Sequence, residues 1–69
     1  MKLSYFRETD TLYIALSEQA STESDEVRNG IVLDYDADGN VVGIEIESAS
    51  TMVQLDRLEV SQVPIPSAN

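Results

Sequence analysis

The chain has 69 residues, 42% of them hydrophobic, and carries a formal charge of −9 without any cysteine or histidine. This length allows one domain with a small core, and the composition excludes disulfides, thiol nucleophiles, Ser-His-Asp triads and the usual tetrahedral zinc sites. Because acidic surfaces repel phosphate, we expect no binding to nucleic acid or to anionic membranes.

The first predicted element is a β-hairpin. Residues 3–6 and 12–16 are rich in strand-forming side chains and flank a polar turn at residues 7–10. The leucine and isoleucine side chains of the second run share one face of a strand, which we expect to be core. Residues 17–25 are polar and acidic, and predict a loop that leads into an edge strand at residues 26–28.

A second hairpin gives the strongest local signal. Residues 31–35 and 41–47 read as strands on either side of a turn rich in aspartate. Gly39 suits the left-handed position of a three-residue loop, with Asp36 opposite Asn40. The register counted back from this closure predicts that Val32 lies opposite Ile44. It also predicts that the other apolar residues of strand 31–35 share a face with the glutamates of strand 41–47.

The last part of the chain predicts one short helix and one further strand. Residues 48–55 predict one or two helical turns capped by a serine hydroxyl, and residues 58–63 alternate as a last strand. The fold class we predict is mainly β, of the β-rich α+β type: a small antiparallel sheet built from β-hairpins with one short helix. Residues 1–66 form this single domain, and residues 67–69 a frayed tail.

The groups available for chemistry are carboxylates, one lysine and three tyrosines. There is no phosphate-binding loop among only three glycines, so we expect no nucleotide cofactor, no catalytic residue and no enzymatic activity. Tyr5, Tyr13 and Tyr35 could line an aromatic binding surface. We favour half-buried sheet residues with their hydroxyls in water.

The second hairpin also satisfies the spacing of a calcium-binding loop. Asp34, Asp36 and Asp38 stand at alternate positions, Gly39 follows, and Glu45 takes the twelfth position. However, the flanks are β-branched, and an extended strand carries Glu45 about 17 Å from the turn. We therefore predict a hairpin turn and no metal site, and keep weak calcium binding or calcium stabilisation through the three aspartates as the alternative.

The acids are concentrated in the middle of the chain. Nine of the 13 lie between residues 17 and 47, against Arg28 alone. This field either attracts a basic protein partner or serves solubility only. Since neither disulfides nor zinc stabilise the small core, we also expect a homodimer that joins two half-sized cores or pairs exposed strand edges.

The location that we expect is the cytoplasm. No apolar run approaches the roughly 20 residues that cross a bilayer, and no hydrophobic stretch follows the first residues as it does in a signal peptide. The absence of cysteine agrees with a reducing compartment.

Three segments together resemble the small bacterial proteins of the family called Domain of Unknown Function 2283: Met1-Lys2-Leu3-Ser4-Tyr5, Asp10-Thr11-Leu12-Tyr13-Ile14, and the run from Gly30 to Ile46 that precedes Ala49-Ser50. Where that family usually has Asp-Pro-Glu-Ala, this chain has Phe6-Arg7-Glu8-Thr9. The resemblance implies a β-rich domain without established catalytic residues, often encoded beside a small ribonuclease-like toxin. We therefore expect a non-catalytic protein-binding or regulatory module, antitoxin-like, that binds a basic protein.

Overall fold

The chain folds as one antiparallel sheet followed by a short helix. The computed structural model of the protein describes residues 1–66, so the predicted tail at residues 67–69 lies outside the described residues. The predicted fold class, mainly β with one short helix, is confirmed. The elements are β1 (Lys2–Phe6), β2 (Thr11–Ala15), β3 (Glu23–Arg28), β4 (Ile31–Tyr35), β5 (Val41–Ile46) and α1 (Ala49–Met52).

The strand order across the sheet is β1-β2-β5-β4-β3, with every neighbouring pair antiparallel. Strands β1 and β2 form one hairpin, and β3, β4 and β5 form a meander whose last strand pairs with β2. Short turns make sequential strands pair with each other, and the pairing of β5 with β2 then joins the two units. Strands β1 and β3 are the edges of the sheet.

The turn between β4 and β5 has the predicted conformation. The Asp36 amide donates to the Asn40 carbonyl at 2.9 Å, and the Gly39 amide donates to the Asp36 carbonyl at 3.1 Å. Gly39 has a φ of 85°, which strains any residue with a side chain. The predicted closure of a three-residue loop by Asp36 and Asn40 is confirmed.

Beyond this loop the register differs from the predicted one. Tyr35 lies opposite Val41, as predicted, but a β-bulge follows and gives β5 one extra residue. Ile44 therefore lies opposite Leu33 instead of Val32. The prediction that the other apolar side chains of β4 share a face with the glutamates is wrong, because the bulge turns those side chains toward the isoleucines of β5.

One boundary in the polar part of the chain also differs. Strand β3 begins at Glu23, inside the segment predicted as loop, although all its residues are exposed. The polar sequence of β3 has no apolar periodicity that would predict a strand. The segment is a strand because its backbone forms hydrogen bonds with β4. It is an edge strand carrying charged side chains, as predicted.

One face of the sheet is apolar across four strands. The cross-strand pairs Leu3–Ile14, Ile14–Ile44 and Ile44–Leu33 run from β1 to β4 on this side. This confirms the predicted inward face of β2. The apolar face, as we call it, consists of Leu3, Tyr5, Leu12, Ile14, Leu16, Ile31, Leu33, Tyr35, Val42, Ile44 and Ile46.

The core formed on this face is small. Among residues 1–66 the buried hydrophobic residues are Val42, Ile46 and Ala49, and no large side chain is fully buried. Ile14 and Leu33 on neighbouring parts of the face are only half-buried. Residues 53–58 lie beside Leu3, Tyr5 and Leu12 at one end of this face. The rest of the face lacks the second layer of secondary structure that domains normally stack.

Helix α1 lies within the predicted segment, but the predicted serine cap is wrong. Ser48 has a left-handed φ of 52° and its hydroxyl makes no capping bond. Instead the Asp10 carbonyl accepts the Ala49 amide at 2.8 Å, and the Asp10 carboxylate accepts the Ser50 amide at 3.1 Å and its hydroxyl at 2.6 Å. A carboxylate is a strong acceptor for the free amides of a first helical turn, which explains the replacement.

Asp10 also joins this helix to β1. The Tyr5 hydroxyl donates to the Asp10 carboxylate at 2.7 Å. The hydrogen bonds from the Ser50 side chain, first, and from Tyr5 hold the pKa of Asp10 below its ordinary value. The turn between the first two strands thereby fixes the position of the helix.

Residues 58–63 form no strand, so the predicted last strand is wrong. The backbone turns at Gln62, where φ is 56°, and Pro64 follows without an amide hydrogen to donate. The segment instead lies beside Met1 and Leu3, at the outer end of the apolar face. Its alternating apolar residues stay largely exposed.

Candidate partner-binding face

The second face of the sheet is polar. The cross-strand pairs Tyr13–Glu45, Glu45–Val32 and Val32–Glu26 run from β2 to β3 on this side. The polar face, as we call it, consists of Lys2, Ser4, Phe6, Thr11, Tyr13, Ala15, Ser24, Glu26, Val32, Asp34, Gly43, Glu45 and Glu47.

Strand alternation divides the acidic segment that the sequence marked as a partner surface. Glu26, Asp34, Glu45 and Glu47 lie on the polar face, where Lys2 at the β1 edge is the basic residue. The other two acids of β3 point to the opposite side. The polar face therefore keeps a negative charge, concentrated on β5 and its neighbours.

Tyr13 crosses β5 to reach β4. Its hydroxyl donates to one oxygen of the Asp34 carboxylate, Oδ2, at 3.0 Å, and the Ser24 hydroxyl donates to the other, Oδ1, at 2.6 Å. Gly43 lies beneath the tyrosine, and a Cβ there would overlap the hydroxyl and stand 2.8 Å from Cζ. The missing side chain at Gly43 is what lets this network span four strands.

The network disfavours ionisation of Tyr13. Burial, first, and then the hydrogen bond to the Asp34 carboxylate and the charge of Glu45 raise the pKa of the Tyr13 phenol above its ordinary value. A neutral phenol is a hydrogen-bond donor, so Tyr13 holds the carboxylate in place over the physiological pH range. Both oxygens of Asp34 already accept bonds within the sheet.

A groove lies between the first hairpin and the end of β5. Phe6, at the end of β1, is 52% exposed beside it. Glu45 and Glu47 occupy alternate positions on the same side, so both carboxylates and an aromatic ring border one space. Carboxylates pair with lysine or arginine, and the face of an aromatic ring attracts the same cations. The groove is lined by Phe6, Thr9, Thr11, Tyr13, Glu45, Glu47 and Ser48.

The aspartates of the calcium-like motif have other partners. Asp34 is held by the tyrosine network, while Asp36 Oδ1 accepts the amides of Asp38 and Asn40, each at 2.9 Å. Within residues 1–66, no three carboxylates are arranged as ligands of one metal ion. Glu45, the twelfth residue of the motif, faces the groove instead of the turn.

Asp36 stabilises its own turn. Several hydrogen bonds hold the pKa of Asp36 below its ordinary value, and the bond from the Asn40 backbone makes the largest contribution. A side chain that accepts amides two and four residues ahead is typical of an aspartate at the start of a turn.

The three tyrosines do not form one aromatic surface. Tyr13 lies on the polar face, whereas Tyr5 and Tyr35 lie on the apolar face. Tyr13 and Tyr35 are half-buried in the sheet, as predicted, but the prediction that the hydroxyls lie in water is wrong for Tyr13, whose hydroxyl bonds to Asp34. Tyr5 is 43% exposed and its hydroxyl bonds to Asp10.

Sequence reasoning missed Phe6 and Gly43. A glycine inside an otherwise apolar strand often marks a close approach of another group, and this signal was present in β5. Alternation along β1 also puts Phe6 on the face opposite Leu3, toward the groove.

These features define a small antiparallel β protein whose single sheet has one polar and one apolar face. The family model described as Protein of unknown function (DUF2283) matches residues 2–50, and the chain belongs to this family. The match covers all five strands and the start of α1. The comparison with curated proteins found no match, and neither did the comparison with solved structures. None of the helical structure in residues 1–66 is long and apolar enough to cross a membrane.

Proposed function

We propose that this protein is a non-catalytic binding module whose polar face receives a basic protein. The observation that carries the proposal is the groove, in which Glu45 and Glu47 flank an exposed Phe6. A lysine or arginine side chain from the partner enters this groove, pairs with the carboxylates and lies against the ring.

The rest of the polar face extends the contact. Glu26 lies on the same side, and Asp34, whose oxygens accept bonds within the sheet, adds negative charge to the face. Exposed ion pairs contribute about 0.2–1 kcal/mol each, and an exposed cation–π contact about 0.5–1 kcal/mol, so no single pair supplies the affinity. The combined electrostatic field of the carboxylates on the polar face raises the association rate with the partner. Added salt screens this field and lowers that rate.

The partner that we propose is a small basic toxin in the bacterial cytoplasm. A toxin that binds RNA must carry a lysine- and arginine-rich surface for phosphate. An acidic sheet face that covers this surface blocks access of RNA. This antitoxin role rests on the family resemblance together with the charge of the polar face.

The test is capture from an extract of the native host with the tagged full-length chain. We expect a stoichiometric basic protein that is retained at low salt and released at high salt. The double substitution Glu45→Gln and Glu47→Gln should weaken its capture, because it removes both carboxylates from the groove.

The matched control is Glu18→Gln with Glu59→Gln. Each double variant changes the formal charge from −9 to −7, but the control leaves the groove intact. If both double variants weaken capture equally, the effect comes from net charge alone. That result would refute the proposal that the groove receives the partner. Capture that is indifferent to salt would refute the electrostatic contact altogether.

The alternative from the sequence, calcium binding by Asp34, Asp36 and Asp38, predicts a higher melting temperature in calcium. Because the first two of these carboxylates already accept hydrogen bonds within the sheet and the turn, we expect no change. The test is thermal unfolding followed by circular dichroism, with magnesium as the control ion. A rise in Tm with calcium but not with magnesium would support calcium binding.

A further inference from the structure

We propose that the apolar face packs against the apolar face of a second copy of the chain, in a homodimer that leaves both polar faces outside. The apolar face lies on the opposite side of the sheet from the proposed binding groove, so the dimer does not depend on the binding function. The exposed area, the composition of the face and the charges at the sheet edges support this dimer.

The surface area of the single chain is larger than that of a compact folded monomer of its mass. The chain exposes 5695 Å². A folded monomer of 7.6 kDa is expected to expose about 4300 Å². The excess is about 1400 Å², to which the exposed segment of residues 54–66 contributes together with the apolar face. Each partner in a stable interface of standard size contributes roughly 800 Å².

The dimensions of the chain agree with this excess. The radius of gyration is 13.4 Å, against about 11 Å for a typical domain of this length. The molecule extends 39 × 34 × 20 Å, which is the shape of a thin slab. Placing a second sheet on the slab, at the usual sheet spacing of about 10 Å, gives the two-layer architecture of a sandwich.

The composition of the face fits burial. Its members on β1, β2, β5 and β4 are aliphatic or tyrosine, and none is charged. Charges border the face at its edges, where Glu23, Asp25 and Arg28 of β3 point to this side and Arg57 lies beside Leu3 and Tyr5. An uncharged centre with a charged rim is typical of a stable protein–protein interface.

A second copy is the occupant that matches these observations. Neither disulfides nor zinc stabilise the small core, and another copy of the chain supplies a second apolar layer of matching size. Pairing through β3 edges would set acids against acids and leave the apolar face exposed. Packing face to face covers the area that a single chain leaves open.

The first test measures the mass and the melting temperature of the full chain as a function of concentration. Light scattering after size exclusion should give twice 7.6 kDa at micromolar concentration. For a dimer that unfolds as it dissociates, a hundredfold rise in concentration should raise Tm by about 10 °C. A particle of one chain whose Tm is independent of concentration would overturn the proposal.

A matched pair of variants identifies the face. Leu33→Lys puts a charge on the apolar face, whereas Val32→Lys puts the same charge on the adjacent residue of the same strand, on the polar face. Both native residues are half-buried. We expect Leu33→Lys to abolish the dimer and Val32→Lys to retain it. Loss of the dimer in both variants or in neither would refute the assignment.

A measurement without substitution covers the case in which Leu33→Lys does not fold. In a mixture of isotope-labelled and unlabelled chains, filtered nuclear Overhauser spectra detect only contacts between copies. We expect such contacts from the methyl groups of Ile14, Leu33 and Ile44, and none from Val32. Contacts confined to Val32, or to the edge strands, would contradict a dimer formed through the apolar face.

Discussion

Gly43→Ala is the most direct test of the polar network. Gly43 is buried, and its φ lies outside the left-handed region, so the backbone itself accepts alanine. The obstacle is Tyr13, whose hydroxyl occupies the space of the new Cβ and whose Cζ would be 2.8 Å away. The ring must move, and its hydrogen bond to Asp34 is then lost.

Three contributions set the size of the effect. Overpacking of this kind costs about 1–3 kcal/mol, and loss of a partly exposed hydrogen bond costs about 1 kcal/mol. Replacing glycine by alanine stabilises by about 0.4–1 kcal/mol, since it restricts the unfolded chain. We therefore expect Gly43→Ala to lower the free energy of unfolding by about 1–3 kcal/mol, and Tm by roughly 5–20 °C.

The assay is urea unfolding followed by circular dichroism at one fixed protein concentration, in a double-mutant cycle with Tyr13→Ala. In the Tyr13→Ala background, Gly43→Ala should be neutral or stabilising. Gly39→Ala is the control, because nothing lies within 4 Å of its added Cβ and its cost comes from the left-handed backbone alone. If Gly43→Ala is harmless beside Tyr13, or equally harmful without it, the close approach of Tyr13 to Gly43 does not set the cost of the added methyl group.

Two further predictions concern pH. Asp10→Asn should lower Tm at neutral pH, and the difference from the native chain should vanish in acid. The lowered pKa of Asp10 stabilises the fold above its unfolded value of 3.8, and this contribution is lost as the pH falls through the folded value. The raised pKa of Tyr13 acts in alkali: its contribution is complete below 10.0 and is lost as the pH rises through the folded value. Tyr13→Phe should flatten this alkaline part of the Tm profile, and a profile that it leaves unchanged would contradict the assignment.

The parts of the fold that could be predicted from the sequence are those with local signals. Alternation of leucine and isoleucine identified β2, and an aspartate–glycine turn identified the hairpin around Gly39, because in both cases neighbouring residues carry the information. Strand β3 has no apolar residue in its first half. It is a strand because β4 offers its backbone hydrogen-bond partners, which no local pattern shows.

The features that could not be predicted depend on residues far apart in the chain. Asp10 caps a helix 40 positions later, and Tyr13 bonds to Asp34 across an intervening strand. Both contacts require the strand order first. The serine next to α1 was a reasonable local candidate for the cap, but the carboxylate that tertiary structure brings to the same amides replaced it.

The bulge and Gly43 explain together why the two faces differ. Without the bulge, β5 would present Val42 opposite Asp34, on the polar side, and a branched side chain would stand where Tyr13 now crosses. With the bulge, Val42 turns to the apolar face, where it is 4% exposed, and Gly43 takes the place opposite Asp34. One inserted residue thus collects the aliphatic side chains on one face and opens the passage for the tyrosine on the other. Val42 is itself the inserted residue, so deleting it should leave a regular ladder in which Gly43 still lies opposite Asp34 and Ile44 still lies opposite Leu33. The deletion should therefore spare the Tyr13–Asp34 hydrogen bond and cost the apolar face one buried side chain.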